Sequence, residues 1–187
     1  MKKTIFGFSF LSVFLILLAA GCQQEVNSPT QNSAPQSSDP LTMAKGSYTG
    51  PSDQLSLQTH LELQEAKSAT AKYRDIKNAL KDKYKDIDVF IPHMGYHYMK
   101  SEYLDANFDP AKPELLVYSP QPVTGKMVLV AVEYAVPQKL SATAPEGFTG
   151  SADVWDKNDD FGLWTLHAWI WYKNPNGVFS EYNPLIP

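Results

Sequence analysis

The decapeptide LWTLHAWIWY, at residues 163–172, decides the fold class of this chain. It holds three of the four tryptophans and no acidic residue, and the turn sequence NPNG follows directly after Lys173. Aromatic and β-branched residues bounded by turn residues are typical of a β-strand. Both alternating faces of such a strand would be apolar, which indicates a strand in the core. His167 is the one basic side chain within it.

A second strand pattern covers residues 126–136, where valines alternate with other apolar residues. Glu133 is the single carboxylate in this apolar run. A buried carboxylate has to be paired, protonated or bound to a metal ion, since a bare buried charge is too costly. A shorter strand is predicted over residues 114–118, and residues 138–162 are predicted to form a long loop.

Residues 59–87 carry a helical pattern, because apolar and aromatic residues recur there at steps of three and four. Thr59 and Glu62 have the spacing of a capping box. We therefore expect an α+β fold in which one long N-terminal helix packs on a mostly antiparallel β-sheet or small barrel. The connections between the predicted strands are too short for crossover helices, which favours antiparallel pairing.

The amino terminus has the pattern of an exported protein: Lys2 and Lys3 precede an apolar run at residues 5–18, and LAAGC follows at residues 18–22. This last segment resembles a bacterial lipobox, which implies cleavage before Cys22 and acylation of its sulfur and its new amine. The alternatives are an ordinary secretory signal and a transmembrane helix, although the apolar run is shorter than the roughly 20 residues that a span needs.

These features divide the chain into a signal peptide at 1–21, a lipidated Cys22 with a flexible tether at 22–50, and one domain at 51–187. The tether is rich in Gln, Asn, Ser and Pro, a composition that has little apolar surface to bury. We expect the protein to be anchored by lipid to the cell membrane and to face the extracytoplasmic side, since two or more acyl chains anchor stably.

Composition excludes several classes of protein. The formal net charge of −4 and the pI of about 5.5 argue against a nucleic-acid partner. A single cysteine excludes an intramolecular disulfide and a cysteine-rich metal site. The chain has no phosphate-binding glycine loop, dinucleotide fingerprint, nucleophile elbow or zinc-protease helix motif.

His97, Glu133 and His167 are the candidate metal ligands, because two histidines and one carboxylate can hold a divalent ion with positions left open. His93 is a fourth candidate, four residues before His97. On a helix the two would share a face, but Gly95 and the aromatic neighbours favour extended chain, which separates them by roughly 13 Å. We therefore expect one of them, not both. The alternative is a buried histidine–carboxylate hydrogen bond without metal.

The segment DKNDDFG at residues 156–162 resembles the start of a calcium-binding loop. Phe161, however, stands where that loop needs glycine, and His167 where it needs a bidentate glutamate. A polar turn is the favoured interpretation.

Several short motifs together resemble an uncharacterised family of bacterial exported proteins. They are MGYHY at 94–98, DP at 109–110, VEY at 132–134, LHAW at 166–169 and NP at 183–184. The resemblance extends over residues 66–184 and implies no particular activity. The family pattern does not require His93, which favours His97 as the ligand, and it has Asn where Lys100 stands here.

Two functions remain open. The first is a non-catalytic, membrane-anchored lipoprotein in which an aromatic pocket of Trp169, Trp171 and Tyr98 binds a small ligand or an envelope partner. The second is a metal-binding extracytoplasmic protein or enzyme, with a divalent ion held by the histidines and the carboxylate.

Overall fold

The computed structural model describes residues 55–187. Its helices are α1 (Leu57–Thr70) and α2 (Ile76–Lys81), with short 3-10 helices at Ala71–Arg74 and Ser101–Tyr103. Its strands are β1 (Lys85–Ile91), β2 (Gly95–Met99), β3 (Leu115–Pro120), β4 (Met127–Pro137), β5 (Asp156–Asn158) and β6 (Leu163–Ala168). The predicted signal peptide, Cys22 and the tether lie outside the described residues. Within the described part, no helix has the length and apolar character needed to cross a membrane.

The six strands form one antiparallel sheet in the order β1-β2-β3-β4-β6-β5. The α+β class and the antiparallel pairing are therefore confirmed. The sheet curls into a half-barrel, so that its two edges approach each other. Ile87 and Val89 of β1 line the same small cavity as Asn158 of β5, although these strands are at opposite ends of the sheet order.

The two faces of the sheet bury different clusters. The helix face carries aromatic and aliphatic side chains that pack with α1 and the 3-10 turn after it, among them Tyr118, Tyr134 and Leu166. The inner face, inside the curl, carries Val117, Val130, Ala131, Trp169 and Ile186. Along each strand the side chains alternate between these two clusters, because successive side chains of a strand point to opposite faces of the sheet.

The long helix predicted over residues 59–87 is wrong, because the chain breaks it twice. Asp75 adopts an extended conformation (φ −94°, ψ 110°), and its carboxylate accepts a hydrogen bond from the Lys77 amide, which starts α2 as a new helix. At the end of α2, Lys83 has φ 73°, and the Tyr84 amide donates to the Ala79 carbonyl at 3.0 Å. This is a Schellman motif, which usually has glycine at the left-handed position. Residues 85–91 are then a strand.

The start of α1 also differs from the prediction. The Oγ of Ser56 accepts a hydrogen bond from the Thr59 amide, so Ser56 is the cap and Thr59 lies one turn inside. Thr59 is buried, and its hydroxyl donates to the Thr149 carbonyl. Glu62 accepts from the amide and hydroxyl of Thr149 instead of closing a capping box.

The tryptophan-rich strand is shorter than predicted. It leaves the ladder after Ala168, where the Trp169 amide donates to the Val178 carbonyl at 2.8 Å. Trp169 stays on the inner face, whereas Trp171 packs against the helix-face cluster and donates its indole hydrogen to Thr70. The predicted loop at 138–162 contains the short strand β5.

Candidate metal centre

His97, Glu133 and His167 converge on the inner face, as the sequence predicts. Each offers one ligand atom, and these atoms lie within 4.8 Å of one another. The Nε2 of His97 is 3.5 Å from one carboxylate oxygen of Glu133, and the Nδ1 of His167 is 3.8 Å from the other. All three residues are buried, with 3%, 5% and 3% of their surface exposed. Binding of an ion stays a prediction.

Strand register explains the convergence. Glu133 on β4 stands directly opposite His167 on β6. His97 on β2 pairs with Val117 on β3, and Val117 pairs with Ala131 on β4, so these three side chains lie on one face of the sheet. Glu133 is two residues beyond Ala131 on β4 and therefore shares that face, two strands away from His97. Two strand spacings amount to roughly 9.6 Å, a gap that an imidazole and a glutamate side chain can bridge from both sides.

His97 has its tautomer fixed by the backbone. Its Nδ1 lies 3.3 Å from the carbonyl oxygen of Val89. Since a carbonyl can only accept, Nδ1 carries the hydrogen and Nε2 presents a lone pair to Glu133. A histidine that donates its other ring hydrogen to a carbonyl is the usual arrangement of a metal ligand.

His167 is less satisfied. Its ring stacks on Trp169 at 6.2 Å between centroids, with an angle of 17° between the planes. Its Nε2 is buried and has no hydrogen-bond partner among the described residues. An unpartnered buried polar atom costs about 1–3 kcal/mol, and the packing around the ring has to offset this cost.

Burial makes the centre electrically neutral at pH 7. It raises the pKa of Glu133 to about 8, with a smaller lowering by a hydrogen bond from Thr165. Burial lowers the pKa of His167 to about 3, helped by His97, and also lowers the pKa of His97. The directions of these shifts favour two neutral imidazoles and a protonated acid over a pair of salt bridges. Metal binding would displace the one proton of Glu133.

The spacing fits a small divalent ion. Zinc lies about 2.0–2.2 Å from histidine nitrogen and carboxylate oxygen, so tetrahedral ligands are about 3.4 Å apart. The distances from Glu133 to the two histidines are 3.5 Å and 3.8 Å, each measured to a different carboxylate oxygen, and one ligand atom from each of the three residues lies within 4.8 Å of the other two. Small side-chain rotations would bring the three ligand atoms to bonding distance.

The other predicted site residues lie elsewhere. His93 is exposed in the turn between β1 and β2, where its Nδ1 contacts the Ile186 carbonyl at 2.8 Å. Tyr98 stacks edge-on against Tyr118 on the helix face, at 5.2 Å between centroids. Trp169 and Trp171 belong to different clusters. The structure does not bring Trp169, Trp171 and Tyr98 into one pocket.

Two features escape the sequence analysis. Trp171 and Tyr172 line a cleft of about 810 Å³ that also includes the cationic side chains of Arg74 and Lys126. Glu114 is a second buried carboxylate, whose Oε2 accepts a hydrogen bond from the Ala135 amide at 2.9 Å. The signal for Glu114 is its place as the first residue of the strand predicted over residues 114–118, and the prolines and loop before it conceal its burial.

No family model, curated protein or solved structure matches this chain. The resemblance to exported bacterial proteins and the lipobox stay predictions.

Proposed function

We propose that this domain binds one divalent first-row transition metal ion, through Nε2 of His97, the carboxylate of Glu133 and a ring nitrogen of His167. The observation that carries the proposal is the convergence of three ligand atoms within 4.8 Å inside an otherwise apolar core. Two histidines and a carboxylate suit zinc and ferrous iron in particular.

The distances favour an ion over a metal-free hydrogen-bond network. Direct hydrogen bonds between these groups would be 2.7–3.2 Å long, whereas the gaps from Glu133 to His97 and His167 are 3.5 Å and 3.8 Å. An ion between the three groups accounts for the gaps.

Metal analysis of the purified protein, followed by titration of the chelator-treated protein with Zn²⁺, tests the proposal. We expect one ion per chain, and we expect His167→Ala to weaken the binding by roughly 100- to 1000-fold. His93→Ala is the matched control, because this exposed histidine lies outside the centre. An unchanged affinity in His167→Ala, or a folded protein that takes up no ion, would reject the proposal.

A second function is supported by the cleft that Trp171 and Tyr172 line. Its volume of about 810 Å³ falls within the range of small-molecule sites. Neither Arg74 nor Lys126 forms an ion pair within the described part of the chain. Asp75 also lines the cleft, where its carboxylate accepts a hydrogen bond from the Lys77 amide. An aromatic wall with two cations and one carboxylate has a net positive charge, which suits a small anionic ligand with an apolar body.

Fluorescence of 1-anilinonaphthalene-8-sulfonate, an anionic aromatic probe, tests this second function. Tyr172→Ala should reduce probe binding several-fold. Tyr182→Ala is the control, because the two tyrosines are similarly exposed, at 43% and 47%, and Tyr182 does not line the cleft. Equal effects of the two changes would remove the support for a ligand cleft.

We also propose, from the lipobox at 18–22, that the mature protein is anchored to the bacterial membrane through acylated Cys22 and faces the extracytoplasmic side. Cys22→Ser should leave an unprocessed or released protein. Unchanged fractionation and gel migration of this variant would count against the anchor.

A further inference from the structure

A small cavity adjoins the proposed metal centre. It has a volume of about 40 Å³, and His97 and Glu133 form part of its wall. Since a water molecule needs about 10–15 Å³ of such volume, the cavity has room for about three water-sized groups. Most of the remaining lining is apolar, and the list comprises Ile87, Val89, Ile91, Met99, Leu115 and Leu163.

The metal centre provides too few protein ligands to close an ion's coordination. In the described part of the chain, the group of convergent ligands has three members. Zinc takes at least four ligands, and sites with three protein ligands complete the set with water or substrate. The cavity beside His97 and Glu133 is the space from which this fourth ligand would come. Thr165 and Asn158 also line it and can hydrogen-bond a small polar ligand.

Phe161 marks the mouth of the cavity. Among the residues that line the cavity it is the exposed one, with 55% of its surface accessible. It lies in the tight turn between β5 and β6, where its amide donates to the Asn158 side chain and Gly162 follows with φ 65°. A Cβ added at Gly162 would meet nothing within 4 Å, so the space beside Gly162 is open. A ligand would therefore enter between this turn and β1.

We infer that the bound ion keeps one coordination position open toward this cavity, and that the position takes water, hydroxide or a small anion of two or three heavy atoms entering past Phe161. The inference rests on the proposed metal site. The ligands of the open position are then small inorganic molecules or ions, because a peptide, sugar or nucleotide cannot fit in about 40 Å³.

The test uses the protein loaded with Co²⁺, whose visible absorption reports its ligands, and compares two anions of different size. Azide has three heavy atoms and should shift the Co²⁺ bands in a saturable way. Benzoate has the same charge and a bulk well beyond the cavity, and should leave the spectrum unchanged at tenfold higher concentration. In Phe161→Ala, benzoate should also bind, and in Phe161→Leu azide should bind as in the parent protein.

Leu140→Ala is the matched control, because Leu140 is exposed to a similar extent, 51%, and does not line the cavity. A Co²⁺ spectrum that ignores azide would overturn the open position while leaving the metal site standing. Benzoate binding to the parent protein would overturn the size limit, and unchanged exclusion of benzoate in Phe161→Ala would overturn the entry route. A natively folded protein that binds no Co²⁺ would overturn both the inference and the metal site.

Discussion

Glu114 and Glu133 are two buried carboxylates with the same degree of burial and different surroundings. Their exposed fractions are 4% and 5%, and burial raises the pKa of each to about 8. Glu114 immediately precedes β3, and its carboxylate accepts a hydrogen bond from the Ala135 amide of β4. This contact lies just beyond Leu115 and Glu133, the pair at that end of the β3–β4 ladder. Glu133 faces two histidines at distances too long for hydrogen bonds. Burial alone therefore does not distinguish these two carboxylates, whereas their partners do.

The largest expected difference between the two carboxylates is in metal affinity. Glu133→Gln should weaken Zn²⁺ binding by roughly 100- to 1000-fold, since 10–16 kcal/mol shared over four ligands is about 2.5–4 kcal/mol for each. Glu114→Gln should leave the affinity unchanged. Isothermal titration of both variants measures this. A comparable loss in the two variants would mean that Glu133 acts through the fold.

Replacement by leucine sharpens the comparison in the metal-free protein. Glu114→Leu should lower the free energy of unfolding by about 1–3 kcal/mol, because the buried Ala135 amide loses its acceptor. Glu133→Leu should cost less than this or be neutral, because an apolar side chain then replaces a buried acid whose histidines lie beyond hydrogen-bond distance and whose one hydrogen bond comes from the Thr165 hydroxyl. Urea denaturation in the presence of a chelator provides both values. A strongly destabilised Glu133→Leu would instead indicate that Glu133 holds the core together.

The smallest expected effect is a dependence of stability on pH that both carboxylates share. A carboxyl whose pKa is raised on folding stabilises the fold fully below its unfolded value near 4.5, and this stability is lost as the pH rises toward 8. The metal-free protein should therefore lose roughly 1–2 kcal/mol per carboxyl between pH 6.5 and 8.

The histidines act in the opposite sense and at lower pH. Because the pKa of His167 falls to about 3 and that of His97 is also lowered, their stabilisation is complete above pH 6.5 and is lost as the pH falls. Denaturation at pH 6.5 and 8 reports mainly on the carboxyls, because each unfolded histidine is half protonated at pH 6.5 and opposes the decline by only about 0.4 kcal/mol. Glu114→Gln and Glu133→Gln should each remove about half of the decline, and a stability that rises over this interval would contradict the neutral centre.

Much of the candidate site is readable from the sequence. Glu133 and His167 each interrupt an apolar strand pattern, and an ionisable group in such a place needs a partner. His97 follows from the same rule once Gly95 and the aromatic residues around it indicate extended chain. The pairing of Glu133 with His167 then needs only that β4 and β6 are neighbours, which short connections favour.

The failures have equally specific causes. The helix is overextended in the prediction because Lys83 takes a left-handed position where glycine would have marked the end, although Asp75 does carry a cap signal. The aromatic pocket fails because Tyr98 alternates with His97 and so faces the helices. Trp171 follows the bend after Ala168, which depends on contacts distant in sequence. The cavity at Phe161 requires the curl of the whole sheet, which no local pattern encodes.

A crystal structure of the protein soaked with Zn²⁺, with anomalous data at the zinc edge, tests the central claim most directly. The account predicts one strong peak on the inner face, within about 2.0–2.2 Å of Nε2 of His97, a carboxylate oxygen of Glu133 and a ring nitrogen of His167. Peaks confined to the protein surface, with Glu133 closing onto a histidine at 2.7–3.2 Å, would contradict it.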